Sequence, residues 1–218
     1  MEDKETIDAE LAVIGAGIAG MAAAMFASNR GIPTVQIGRT GELAFASGLI
    51  DLMGVHPLAQ KHVQEDPWAA IDLLTKVSPQ HPYARLGKKK ILEALNEAIA
   101  FLEQSGLPYQ GSGEKNSLVP TPAGTLKPTY RVQSGMWNGV QSLKLGTPCT
   151  IVGFQGLKGF SPQQMKTVLE RRWPGLRAAR ISFPAASSNS EIYPEQLALR
   201  FDLPEGRRLL ADLLRPNI

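Results

Sequence analysis

A chain of 218 residues, 43% hydrophobic and 20% charged, can bury one sizeable core, or one core and a small satellite; this composition excludes a disordered, collagenous or coiled-coil protein. The net charge of +3 resides partly in short clusters (Lys88-Lys89-Lys90, Arg171-Arg172, Arg207-Arg208) without interleaved aromatics, which read as solvated helix faces and not as a nucleic-acid footprint. Cys149 alone makes no internal disulfide, which fits a reducing cytoplasm; the acidic residues 1–8 are no signal peptide, and no apolar run is long enough for a direct membrane span.

Residues 9–14 form an apolar run ending at glycine, the pattern of a buried parallel strand. Residues 18–30, rich in alanine and methionine, predict a helix that Gly31 stops ahead of Pro33. Residues 34–37 predict a second strand, so strand, helix and strand fit the compact right-handed crossover of a doubly wound sheet. Residues 38–54 predict a loop with some helix, in which Ala44, Ala46, Ser47 and Gly48 permit close backbone contacts. A helix over 67–76 places Trp68, Ile71 and Leu74 on one face. Residues 88–105 predict the clearest helix, striped by Ile91, Leu92, Leu95, Ile99 and Leu102 and closed by Gly106 and Pro108.

Residues 111–147, rich in Gly, Pro, Ser and Thr, predict short strands and loops. From Cys149 a second α/β unit follows: a strand over 150–154, a helix over 162–173 opened by the capping box Ser161-Pro162-Gln163-Gln164, and a strand over 178–183. A last helix over 207–214 has Asp202 and Glu205 placed to cap its start. The fold class expected is α/β, a Rossmann-like FAD/NAD(P)-binding βαβ unit with parallel sheet plus a second, smaller α/β subdomain. The expected division is a nucleotide-binding unit over 1–77, a connecting α+β segment over 78–147 and the second subdomain over 148–218.

Gly15-Ala16-Gly17-Ile18-Ala19-Gly20 sits between the first strand and the first helix. In such a turn the first glycine lets the chain leave the strand sharply. The second lets backbone amides approach phosphate oxygens, and the third lets helix and strand pack closely. The helix N-terminus adds unpaired N–H groups and about half a positive charge, which favour a nucleotide phosphate. A dinucleotide site ordinarily places an acid at the end of the second strand to hold the adenosine ribose; here that position is Gly38, flanked by Ile37 and Arg39. Three ligands remain open on these residues: NADP with Arg39 on its 2′-phosphate, FMN with no adenosine ribose to hold, and FAD bound through other contacts.

The glycine turn, followed by Phe45-Ala46-Ser47-Gly48-Leu49-Ile50-Asp51-Leu52, His81-Pro82-Tyr83, Thr121-Pro122-Ala123-Gly124-Thr125-Leu126 and Ile151-Val152-Gly153-Phe154-Gln155-Gly156-Leu157, resembles the B subunit of anaerobic glycerol-3-phosphate dehydrogenase. The resemblance covers the N-terminal part of that family, over residues 9 to about 160. It implies a flavoprotein subunit, usually with FMN and alternatively FAD, at the cytoplasmic face of the membrane. Its implied partners are an FAD-containing catalytic subunit and an iron–sulfur subunit that docks on the membrane. The complex would oxidise sn-glycerol 3-phosphate to dihydroxyacetone phosphate and pass electrons to quinone. Members of the family also lack the ribose acid, in agreement with Gly38. Their chains are longer, and their C-terminal part returns to the flavin domain with further glycine-rich contacts, so the resemblance implies that part of the pocket lies outside these residues.

Ser47, Gly48 and Asp51 follow the second strand; on residues alone they fit loop packing and cofactor contact equally, and the resemblance favours contact with the flavin phosphate and ribityl groups. Arg39 reads equally as a phosphate partner or a solvated loop residue. His56, His62 and His81 have no metal-site spacing, His81 reads as a turn residue, Ser47 lacks a nucleophile elbow, and Trp137 reads as a packed aromatic. No catalytic base is identifiable. Two other functions fit the sequence: an assembly module without cofactor, and an NAD(P)-dependent reductase using Arg39.

Overall fold

The computed structural model describes residues 7–39, 46–184 and 191–217. β1 (Leu11–Ile14) and β2 (Thr34–Ile37) pair in parallel, from Leu11 beside Thr34 to Ile14 beside Ile37, and α1 (Ile18–Asn29) makes the crossover between them. Parallel neighbours need a connection of about a dozen residues, and this uncharged, alanine-rich helix supplies it. The expected βαβ unit is therefore present, its boundaries displaced by one or two residues.

The next layer is helical. Asp66 caps α2 (Pro67–Val77), its carboxylate accepting from the amides of Trp68 and Ala69, and Pro67 occupies the first turn where a missing N–H costs nothing. α3 (Pro82–Gln104) starts earlier than its apolar stripe, because His81 caps it: Nδ1 accepts from the Tyr83 amide at 3.1 Å. Gly87, at φ +74°, breaks the helix between that first turn and the stripe. α2 and α3 enclose Trp68, Ile71, Ile91 and Tyr130, with Leu92 and Leu95 packed alongside and the Trp68 and Tyr130 rings edge to face at 5.9 Å. The Lys88 ammonium lies over the Trp68 ring at 5.0 Å, so one member of the basic run covers aromatic surface.

β3 (Tyr109–Gln110) is antiparallel to β6 (Val132–Gln133), and β4 (Ser117–Pro120) forms a hairpin with β5 (Leu126–Thr129). Strands were expected here, but α4 (Ser134–Leu145) was not. Its glycines and serines are weak helix formers and read as loop. Tertiary packing decides instead: Val140 and Trp137 seat on Val119, Val132 and Leu49, and Gly146 ends the helix in the left-handed conformation. Trp137 is thus the packed aromatic it was expected to be.

β7 (Cys149–Phe154), α5 (Pro162–Leu169) and β8 (Leu176–Ile181) form the second parallel βαβ unit, with Ser161 Oγ accepting from the Gln164 amide. α5 ends short of Trp173, which is buried and donates its indole N–H to the Thr147 carbonyl at 2.7 Å. The strand expected over 178–183 begins two residues earlier, at Leu176. α6 (Pro194–Phe201), which was not among the expected elements, precedes α7 (Pro204–Leu214). Asp202 and Glu205 do not cap α7: Leu203 stands at its N-cap with no side-chain acceptor, and Pro204 opens the first turn. Phe183, Ile192 and Leu197 close a small core against Phe154 and Phe201.

Trp68 is the anchor of the central layer. Trp68→Ala is expected to lower unfolding free energy by about 3–5 kcal/mol, as for other buried large aromatics, and urea titration measures it. Leu145→Ala, at an exposed site, serves as the control, with a change within about 0.5 kcal/mol.

Candidate nucleotide-binding site

The glycine turn is built by three close approaches. Gly15, at φ +116°, takes a conformation that side chains disfavour, and its amide donates to the Ile37 carbonyl at 2.7 Å. A Cβ on Gly20 would fall 2.2 Å from the Gly15 carbonyl oxygen, so α1 rests directly on the turn. A Cβ on Gly38 would fall 2.6 Å from the Ala16 amide nitrogen, so the end of β2 does the same. Gln36 completes the arrangement: its Nε2 donates to the Gly15 carbonyl at 2.9 Å.

This geometry accounts for the missing acid. Any side chain at position 38 runs into the turn's own backbone, so this backbone leaves no room there for a ribose-binding carboxylate. Gln36 was not singled out from sequence, although a polar residue inside an otherwise apolar parallel strand signals a buried partner.

The residues fit a phosphate. Gly17 caps α1 without a side-chain acceptor, and its first turn carries no acid. Met21 is the first amide bonded back into the helix, to the Gly17 carbonyl at 3.0 Å, which leaves the amides of Ile18, Ala19 and Gly20 without an acceptor among the described residues. Three convergent N–H groups, the positive end of a helix dipole and no competing carboxylate are what an anionic oxygen needs. Arg39 follows Gly38 in sequence, is exposed and makes no ion pair among the described residues.

The second group of expected residues is held by the middle layer. Ser47 Oγ accepts from the Leu49 amide at 3.3 Å, a local turn. The Gly48 carbonyl accepts from Tyr109 Oη at 2.7 Å, and Ile50 bridges to Arg131. Asp51 is ion-paired with Lys127 at 2.6 Å, while Tyr83 Oη donates to the neighbouring Leu52 carbonyl at 2.7 Å. Among the described residues no hydrogen bond or ion pair joins this loop to the glycine turn; Ala44 and Phe45 lie outside the described residues. Tyr109, Lys127 and Tyr83 brace the loop and were not legible as its partners, since each lies far from it in sequence. Burial, and secondarily the Asp51 carboxylate, push the Tyr83 phenol above its ordinary pKa.

The described residues contain no cluster able to hold a metal and no helix long and apolar enough to cross a membrane. A depression of about 560 Å³ between the β4–β5 turn and α5 is lined by Thr121, Phe160, Ser161 and Gln164 among others, without a charged group to do chemistry.

Residues 10–194 match the FAD binding domain family, and the chain belongs to that family. Among curated proteins it is similar to the B subunit of anaerobic glycerol-3-phosphate dehydrogenase from Yersinia pestis, 30% identical over 94% of this chain and 50% of the relative. It is also similar to the probable B subunit of anaerobic glycerol-3-phosphate dehydrogenase from Halobacterium salinarum, 34% identical over 75% of this chain and 36% of that relative. The chain therefore spans about half the length, or less, of the curated relatives it matches. No solved structure matches it. The resemblance read from the glycine turn and the later motifs is thus found again in whole-chain similarity.

Two expectations follow from the geometry. Gly38→Asp restores the acid typical of dinucleotide sites, yet it is expected to destabilise the fold by about 1–3 kcal/mol through overpacking and to gain no NAD affinity. Thermal unfolding with and without NAD reads both effects. The raised pKa of Tyr83 favours its neutral form in the fold, so its contribution to stability is complete below the unfolded value and declines as pH rises through the folded one. Stability measured by urea titration across this alkaline range should fall less steeply in Tyr83→Phe than in the wild type.

Proposed function

We propose that this chain holds the phosphate of a flavin on the turn formed by Gly15, Ala16, Gly17, Ile18, Ala19 and Gly20, as a subunit of an anaerobic glycerol-3-phosphate dehydrogenase. The observation that carries the reading is the uncapped N-terminus of α1 on a turn that Gly20 and Gly38 hold closed. The bound flavin would supply two-electron oxidation and its onward transfer. The chain's own part is to bind the phosphate with backbone N–H groups and to fix the cofactor's orientation. FAD stands first, because the matched family is described by FAD. FMN, favoured on sequence because Gly38 leaves no ribose acid, is the alternative.

Within that reading Arg39 adds a cation beside the phosphate, and Ser47, Gly48 and Asp51 line the cofactor's ribityl side. Asp51 reaches the cofactor only through the face of its carboxylate that Lys127 leaves open. The reaction is oxidation of sn-glycerol 3-phosphate to dihydroxyacetone phosphate with quinone as acceptor. The partners are an FAD-containing catalytic subunit and an iron–sulfur subunit docked at the cytoplasmic face of the membrane. The names of the relatives, each a B subunit, support a multi-subunit assembly.

The test is the visible spectrum of the purified chain, alone and in its complex, with chromatography of the acid-released chromophore to separate FAD from FMN. Gly17→Val, which blocks approach to the amides, is expected to reduce flavin retention at least tenfold while leaving the far-ultraviolet circular dichroism unchanged. Retention at wild-type level in that variant would remove the turn as the phosphate cradle. A colourless protein that no added flavin reconstitutes, alone or in complex, would favour the cofactor-free assembly module.

A further inference from the structure

The two groups of expected site residues belong to different parts of the fold. The turn from Gly15 to Gly20 lies in the unit of β1, α1 and β2, and the loop of Ser47, Gly48 and Asp51 is held by the middle layer. One element reaches both. α3 holds the loop through Tyr83, whose Oη donates to the Leu52 carbonyl. It also holds the loop through the cluster in which Leu52, Met53 and Tyr83 pack with Ile91, Leu92 and Leu95. Tyr83 precedes the break at Gly87 and Ile91 follows it, so that cluster ties both sides of the break to the loop. Farther along, α3 holds the crossover unit through Glu97. Its Oε1 accepts from Asn29 Nδ2 at 2.9 Å and from Arg30 Nη1 at 3.0 Å, and its Oε2 accepts from Arg30 Nη2 at 3.0 Å. Arg30 Nη1 also donates to the Phe26 carbonyl at 2.8 Å, which holds the guanidinium against the last turn of α1. Among the described residues no other hydrogen bond or ion pair leaves residues 7–39, and none of those residues enters the four buried clusters.

We propose that Glu97 is a positioning residue: its fork to Asn29 and Arg30 sets the spacing between the glycine turn and the loop of Ser47, Gly48 and Asp51. A lone exposed ion pair fixes little, because two long side chains must be ordered and water screens them. This pair is bidentate, so it fixes the direction of approach as well as the distance, and Asn29 adds a third donor to the same carboxylate. Leverage enlarges the effect. α1 carries the turn at one end and the fork at the other, a span of about 18 Å for its length. The parts of a binding constellation must be held within about 0.5 Å, and about 2° of tilt over that span exceeds the limit. What the spacing serves rests on the flavin reading; the spacing itself is a property of the chain without ligand.

The full chain, with Cys149→Ala to remove its native thiol, is spin-labelled at two exposed positions, Ala23→Cys on α1 and Lys76→Cys on α2. α2 belongs to the core on which the loop packs, so the distance between the labels, read by double electron–electron resonance, follows the spacing. The expected result is one narrow distribution in this parent and a distribution at least about twice as wide in Glu97→Arg. The paired reversal, Arg30→Glu with Glu97→Arg, should make it narrow again. Far-ultraviolet circular dichroism should match in all three, so that widening is not unfolding. Glu97→Gln keeps one acceptor oxygen and loses the charge; it is the milder variant and should also widen the distribution. FAD retention, measured separately, should fall about fivefold in Glu97→Arg and return in the paired reversal. An unchanged width in both Glu97 variants, or a width that the paired reversal does not restore, would overturn the positioning role. Unchanged FAD retention in a variant whose distribution widens would also overturn it. A parent chain that retains no flavin removes the flavin reading instead, and the distances still decide the role of Glu97.

Discussion

The close approach of Gly38 and Gly20 to the turn at Gly15 and Ala16 is the constraint from which the rest of the proposed site follows. Because both the end of β2 and the first turn of α1 press on the same few backbone atoms, the amides at the start of α1 are held in one orientation before any ligand arrives. Preorganised N–H donors cost no rearrangement on binding, which is where a backbone anion site gains over one made of flexible cations. Gln36 contributes to the same end by donating to the Gly15 carbonyl where α1 rests on the turn.

The same constraint separates the two groups of expected site residues. The turn is specified locally, within about thirty residues and chiefly by glycine. The loop of Ser47, Gly48 and Asp51 is specified from a distance, through Tyr109, Lys127 and Tyr83, which belong to the middle layer. The turn therefore depends on a single crossover, and the loop on contacts from the middle layer.

Much of the fold was legible because its signals were local. Apolar runs ending in glycine marked β1 and β2, and the stripe from Ile91 to Leu102 marked α3. Proline at the first helical position marked α5 at Pro162, with Ser161 as its cap. What escaped was specified by packing. α4 has poor intrinsic propensity and is helical because Val140 and Trp137 have a surface to seat on. α6 lies in a segment whose apolar spacing, Leu197 with Phe201, acquires meaning only beside Phe154 and Phe183. Within the site, the absence of an acid at 38 was visible in the sequence, but its cause, a backbone 2.6 Å away, was not.

The fork from Arg30 and Asn29 to Glu97 gives this molecule an uneven connection between its parts. Exposed ion pairs weaken as ionic strength rises, whereas apolar contacts do not. The register between the crossover unit and α3 is therefore coupled to salt, while the folding of each is not.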